Sequence, residues 1–118
     1  MSETNLLNVV GVLPVTDHPA AVAWYRKWIG RGPDVEPMDG VAEWQLAANA
    51  WIQVSVDPGA SGRTTVVVGV ADLDVQREAC AAAGVAVGEV ADYGVVKSAE
   101  AVDPAGNTVV FVQDLTQA

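Results

Sequence analysis

One cysteine (Cys80), one histidine (His18), one phenylalanine and six basic residues are all that 118 residues hold of those types. A lone thiol forms no internal disulfide and excludes a metal site built on cysteines. Cys80 lies in an alanine-rich helical stretch with Arg77 as its only nearby cation in sequence, the setting of a buried, inert thiol rather than a reactive thiolate. A single histidine excludes a two-imidazole site within one chain. Basic residues are too few and too scattered for a nucleic-acid surface. Fifteen acidic residues bring the net charge to −9, which disfavours phosphate backbones and anionic membrane surfaces. That charge either serves solubility alone or draws a cationic ligand toward a concave site. No long apolar run is present: the longest, Thr64 to Ala71, is strand-sized and far short of the roughly 20 residues that span a bilayer. Met1 to Asn5 lack the basic start and apolar stretch of a secretory signal, so a cytoplasmic protein is expected. A glycine-rich phosphate loop, a His-x-Glu metal run and a nucleophile-and-base pair are all missing.

What is present is a series of short β-branched runs separated by turn residues. Asn8 to Val15 reads as a buried strand. Asp17 or His18 caps a helix with Pro19 at its first position, and that helix stops at Gly30. Pro33 to Pro37 is at best a ragged edge strand. Val41 to Ala47 and Trp51 to Val56 alternate about the turn Ala48-Asn49-Ala50. After the linker-like Asp57-Pro58-Gly59-Ala60-Ser61-Gly62 the order repeats. Thr64 to Val70 reads as a strand, and Asp72 caps a helix running to Ala83 and ending at Gly84. Val85 to Val90 is a ragged strand and Val95 to Val102 a longer one; the turn Asp103 to Asn107 then leads into a last strand, Thr108 to Gln113.

The repeat is visible in the residues. Val15-Thr16-Asp17 and Val70-Ala71-Asp72 stand 55 positions apart, each ahead of a helix that ends in glycine, and an asparagine turn precedes each final strand. The expected fold is α+β: two βαβββ modules forming a curved mixed sheet around a concave cup, with one helix per module on the outer face. The boundaries are about 6–57 for the first module, 58–62 for the linker and 63–115 for the second, within one domain spanning 1–118. The uncovered faces of the two modules are expected to oppose each other. The linker length permits them to close within one chain or to swap between chains.

Val12 to Gly30, Val66 to Gly84 and Asp103 to Phe111 (DPAGNTVVF) resemble the vicinal oxygen chelate superfamily, which includes glyoxalase, bleomycin-resistance and ring-cleaving dioxygenase proteins. The resemblance covers nearly the whole chain and implies paired βαβββ modules, often in a homodimer. It also implies that metal-using members place His, Glu or Gln on the first and last strands of each module. Those slots fall here at Val10, Gln53 (or Ser55, one pleat along), Thr65 and Val110. Valine has no lone pair to give, and Thr and Gln are poor ligands without acid or imidazole partners. No metal, no cofactor and no catalytic residue is therefore expected.

Strand alternation puts Val12, Pro14, Trp51, Ser55, Val67 and Thr108 on the same side as those four slots. This describes an apolar pocket with a few neutral hydrogen-bonding groups. Glu43 and Gln45 either join it or face solvent. Trp44 and Trp51 either stack on a planar or cationic ligand or pack in the core, while Trp24 and Trp28 are read as core or dimer contacts. Tyr93 either lids the cup or sits in a surface turn. His18 is a cap sooner than a general base, and Glu100 is a possible acid that is otherwise exposed. The ligand-binding set is thus Val10, Val12, Glu43, Trp44, Trp51, Gln53, Ser55, Thr65, Val67, Tyr93, Thr108 and Val110. The expected function is metal-independent binding of a small organic molecule, cationic or aromatic and antibiotic-like, by a homodimer with no nucleic-acid or membrane partner. The alternatives are a metal-dependent glyoxalase-like lyase, isomerase or dioxygenase, and a partner subunit whose cup is filled by its own side chains.

Overall fold

Asp17 and Gly30 do locally what the sequence predicts, whereas Pro19 stands one place later than expected, second in the helix after His18. In a computed structural model describing residues 5–116, the Asp17 carboxylate accepts the Ala20 N–H at 3.1 Å and opens helix α1 (His18–Ile29). Gly30 closes it at φ +90°, a left-handed conformation that costs glycine little. Most of the Met1–Asn5 stretch read for a leader lies outside the described residues. Among those residues no helix is long and apolar enough to cross a membrane.

The strands of the first half are β1 (Val9–Val15), β2 (Val35–Met38), β3 (Val41–Ala47) and β4 (Ala50–Val56), in the spatial order β1-β4-β3-β2. The second half repeats this plan with β5 (Thr65–Gly69), α2 (Leu73–Ala82), β6 (Ala91–Asp92), β7 (Val96–Val102) and β8 (Thr108–Asp114), ordered β5-β8-β7-β6. In each sheet the first strand runs parallel to the last and the remaining pairs are antiparallel. The architecture is α+β with two βαβββ modules. One expected strand is missing: Val85 to Val90 forms no ladder. The Val85 N–H is taken by the Cys80 carbonyl at the end of α2, its side chain is buried in the core, and only Gly88 reaches β7, donating to the Glu100 carbonyl at 2.9 Å.

Leu13, Val15, Ala42, Trp44, Ile52 and Val54 from one sheet and Ala99, Ala101, Val109 and Phe111 from the other point to the helix-covered sides and belong to a single core. The aromatic groups Trp24, Tyr25, Trp28, Trp44 and Phe111 link across it, with Trp28 edge-on to Phe111 at 5.2 Å. The contacts recorded between the halves therefore run through their helix-covered sides, and it is not the uncovered faces that meet within one chain. Cys80 is buried in this core, and burial pushes its thiol above the ordinary value, so it is no thiolate.

The Asp103-Pro104-Ala105-Gly106-Asn107 turn is the rivet of that arrangement. The Asp103 carboxylate accepts the backbone N–H groups of Ala105, Gly106 and Asn107, the Asn107 amide, and the Tyr25 hydroxyl of α1 at 2.8 Å. Asn107 is fully buried; its amide also donates to the Pro14 carbonyl at 2.7 Å, and its Oδ1 accepts the Thr64 N–H. Gly62 closes the linker against this turn at φ +78°, where a Cβ would collide with the Ala105 carbonyl oxygen. The most specific motif of the sequence is thus structural.

Candidate ligand-binding site

Strand register sorts the candidate residues onto the faces without helices. In the first sheet the rows Val10–Trp51–Gln45, Val12–Gln53–Glu43 and Pro14–Ser55–Val41 run side by side across β1, β4 and β3. In the second, the rows Thr65–Thr108–Val102, Val67–Val110–Glu100 and Gly69–Val112–Ser98 run across β5, β8 and β7. The two faces correspond row for row. Val12–Gln53–Glu43 answers to Val67–Val110–Glu100, so each half presents an aliphatic residue on its first strand and a carboxylate on its third.

These faces are open in the single chain: Val10 is 39% exposed, Val12 43%, Val67 64% and Val102 59%. On the first of them the Gln53 amide donates to Glu43 Oε2 at 2.6 Å, so the glutamine holds the carboxylate across the strand pair. Their strands carry no basic side chain on these faces. Lys97, the one basic strand residue, has the opposite parity, and its Nζ lies 4.0 Å from Asp74 on α2. The other basic residues belong to helices or loops, and Arg31 is paired to Asp34 at 2.9 Å. The faces therefore combine β-branched side chains, neutral hydrogen-bonding groups and acids.

Ten of the twelve candidates share these faces: Val10, Val12, Glu43, Trp51, Gln53, Ser55, Thr65, Val67, Thr108 and Val110. Two do not. Trp44 is fully buried on the helix-covered side, where its Nε1–H donates to the Arg31 carbonyl at 3.1 Å. It is a core residue, because β3 parity places it with Ala42 and opposite Glu43. Tyr93 is 67% exposed in the turn between β6 and β7, beyond the edge of the second sheet. His18 begins α1, and it is Asp17 that caps the helix. Sequence reasoning missed Ser98, Val102 and Val112, which share the second face; the parity of Glu100 within β7 was the available signal.

The slots that hold a metal in chelating members of the resembled superfamily do not fit an ion here. Val10 and Val110 have no donor atom, the Gln53 amide is engaged with Glu43, and Thr65 stands without an acid or imidazole beside it in its row. Among the described residues no group of three or more His, Cys, Asp or Glu side chains could hold a metal.

No protein-family model and no curated protein matches the sequence. Solved structures do match in shape. A glyoxalase/bleomycin resistance protein from Catenulispora acidiphila DSM 44928 is 28% identical, aligns over 92% of this chain and 98% of its own, and has a TM-score of 0.86. A bleomycin-binding protein from bleomycin-producing Streptomyces verticillus, complexed with copper(II)-bleomycin, is 24% identical over 92% and 97% of the chains, with a TM-score of 0.75. Lactoylglutathione lyase from Agrobacterium tumefaciens is 18% identical over 94% and 95%, with a TM-score of 0.73.

Proposed function

From a glyoxalase/bleomycin-resistance fold, consistent with the vicinal oxygen chelate superfamily, we infer that this chain binds a small organic cation without using a metal. The observation that carries the reading is the pair of equivalent rows, Val12–Gln53–Glu43 and Val67–Val110–Glu100. Aliphatic and amide groups occupy the chelating slots, and each row ends in an acid. An apolar, planar ligand body gains from burial against the valines and Trp51. A positive group gains from Glu43 and Glu100, with no lysine or arginine on the same faces to compete. The neighbours complexed with bleomycin support an organic small-molecule ligand.

The cup is completed by a second copy. Each chain leaves two uncovered faces with exposed valines, and pairing the first half of one copy with the second half of another would cover them and bring Glu43 and Glu100 to one cavity.

Calorimetric titration with planar aromatic cations, and with anions of the same shape, tests the reading. Cations bind, anions do not, and dialysis against a chelator leaves the affinity unchanged. Glu43→Gln and Glu100→Gln each weaken binding by about tenfold, the equivalent of roughly 1.4 kcal/mol. A stoichiometric divalent ion required for binding would overturn the metal-free reading in favour of the lyase, isomerase or dioxygenase alternative.

A further inference from the structure

Glu43 and Glu100 hold equivalent places in the two halves but stand differently. Glu43 faces Gln53 across the β3–β4 pair, is half-buried, and accepts the glutamine amide through Oε2 at 2.6 Å. Glu100 faces Val110, which has no donor, and its exposed carboxylate has no side-chain partner among the described residues. One acid is held and the other is not. An ionised carboxylate only accepts, so the bond also fixes the amide: Gln53 turns its NH2 toward Glu43 and its carbonyl oxygen away. Among the described residues no donor reaches Glu43 Oε1 or Gln53 Oε1, and the face carries no basic side chain. The pair therefore offers two acceptor oxygens in a set orientation. Trp51 stands in the next row of β4, about 7 Å along the strand from Gln53.

We propose that this pair reads the nitrogen of the ligand's cation: the face selects planar aromatic cations whose charge is carried on N–H groups, such as protonated amino-heteroaromatics, over quaternary cations that have none. The proposal rests on the metal-free cation-binding reading above and adds the chemical class of the cation, with Gln53 as the positioning residue. An N–H cation stacked on Trp51 reaches the acid with its own edge, and its donors satisfy the two oxygens through charge-assisted bonds. A quaternary cation feels the same charge attraction but leaves both oxygens unpaired once the ligand shuts water out. Without Gln53 the Glu43 side chain is no longer held in one rotamer, so the directional part of the attraction is lost while the charge remains. Trp51, Gln53 and Glu43 all belong to the first half, so the selection does not depend on how two copies pair.

The test is a fluorescence titration of the full chain with 9-aminoacridinium, which carries N–H groups, and with 10-methylacridinium, a cation of the same ring system with none. The parent chain is expected to bind the first tighter by about tenfold or more. Gln53→Met keeps the length of the side chain without its amide. Glu43→Asp keeps the charge but draws the carboxylate back from Gln53 by one methylene. In each variant the preference falls below about threefold. Glu100→Gln weakens both cations alike, so the parent preference stays. Each value is a ratio of two affinities in one protein, so partial unfolding of a variant does not imitate the effect. A smaller preference in the parent chain, a preference kept in Gln53→Met or Glu43→Asp, or one lost in Glu100→Gln overturns the proposal. Equal binding of both cations by the parent chain rejects this selection and leaves the cation-binding reading standing, whereas binding of neither rejects both.

Discussion

The Tyr25 hydroxyl donates to the Asp103 carboxylate at 2.8 Å across 78 positions of chain, tying the helix of the first half to the last turn of the second. Both groups are buried, and burial first, then the carboxylate beside it, holds the tyrosine well above its ordinary value. Because the folded tyrosine keeps its proton where the unfolded one loses it, the bond contributes fully below about pH 10 and is lost as pH rises through the folded value. Unfolding in urea between about pH 10 and 11.5 should show stability falling by up to about 1.4 kcal/mol per pH unit from this residue. Tyr25→Phe removes that component of the slope and costs about 1.5–3 kcal/mol at neutral pH.

Gly62 and Asn107 test whether the rivet between the halves is structural. Gly62→Ala meets the Ala105 carbonyl and also forces a left-handed conformation on a residue with a Cβ. A loss of about 3 kcal/mol is expected in denaturant titration. Asn107→Ala leaves the Pro14 carbonyl and Thr64 N–H without their side-chain partner and should cost about 2–4 kcal/mol. Neither substitution touches an uncovered face, so a folded fraction of either variant should bind ligand with the parent affinity.

Two neighbouring tryptophans should separate stability from binding. Trp44→Phe loses buried volume and the bond to the Arg31 carbonyl, so the midpoint of thermal unfolding falls while ligand affinity is kept. Trp51→Ala, on the uncovered face, should lower affinity by about tenfold and abolish the fluorescence quench expected when ligand stacks on the parent indole, with the smaller stability loss of the two.

Val67 is 64% exposed at mid-length of β5, the edge strand of the second uncovered face. Val67→Asp places a charge where a second copy is proposed to pack. Sedimentation equilibrium should then report a dimer for the parent chain and a monomer for the variant, with the intrinsic stability of the chain changed by only about 0.5 kcal/mol. A dimer of unchanged affinity in this variant would reject that pairing.

The order of elements was legible because it rests on local chemistry. β-branched alternation, Asp17 and Asp72 as helix caps, Gly30 and Gly84 as stops, and the asparagine turns each act within a few residues. The same alternation placed ten of the twelve candidate residues on the uncovered faces. Trp44 entered the set on residue chemistry against its parity, which sets it opposite Glu43, because an indole suits a core and a pocket equally until its neighbours are known.

What a single sequence determined here is the repeat: two strand-helix-sheet units with caps and turns, and side-chain parity fixed by the period of the strand. Tertiary structure alone decided how the units meet, through Asp103, Asn107 and Gly62, whose partners lie up to 93 positions away. Parity tells which side of a sheet a residue takes. Which side the rest of the molecule then covers depends on long-range burial and hydrogen bonding, and those leave no local signal.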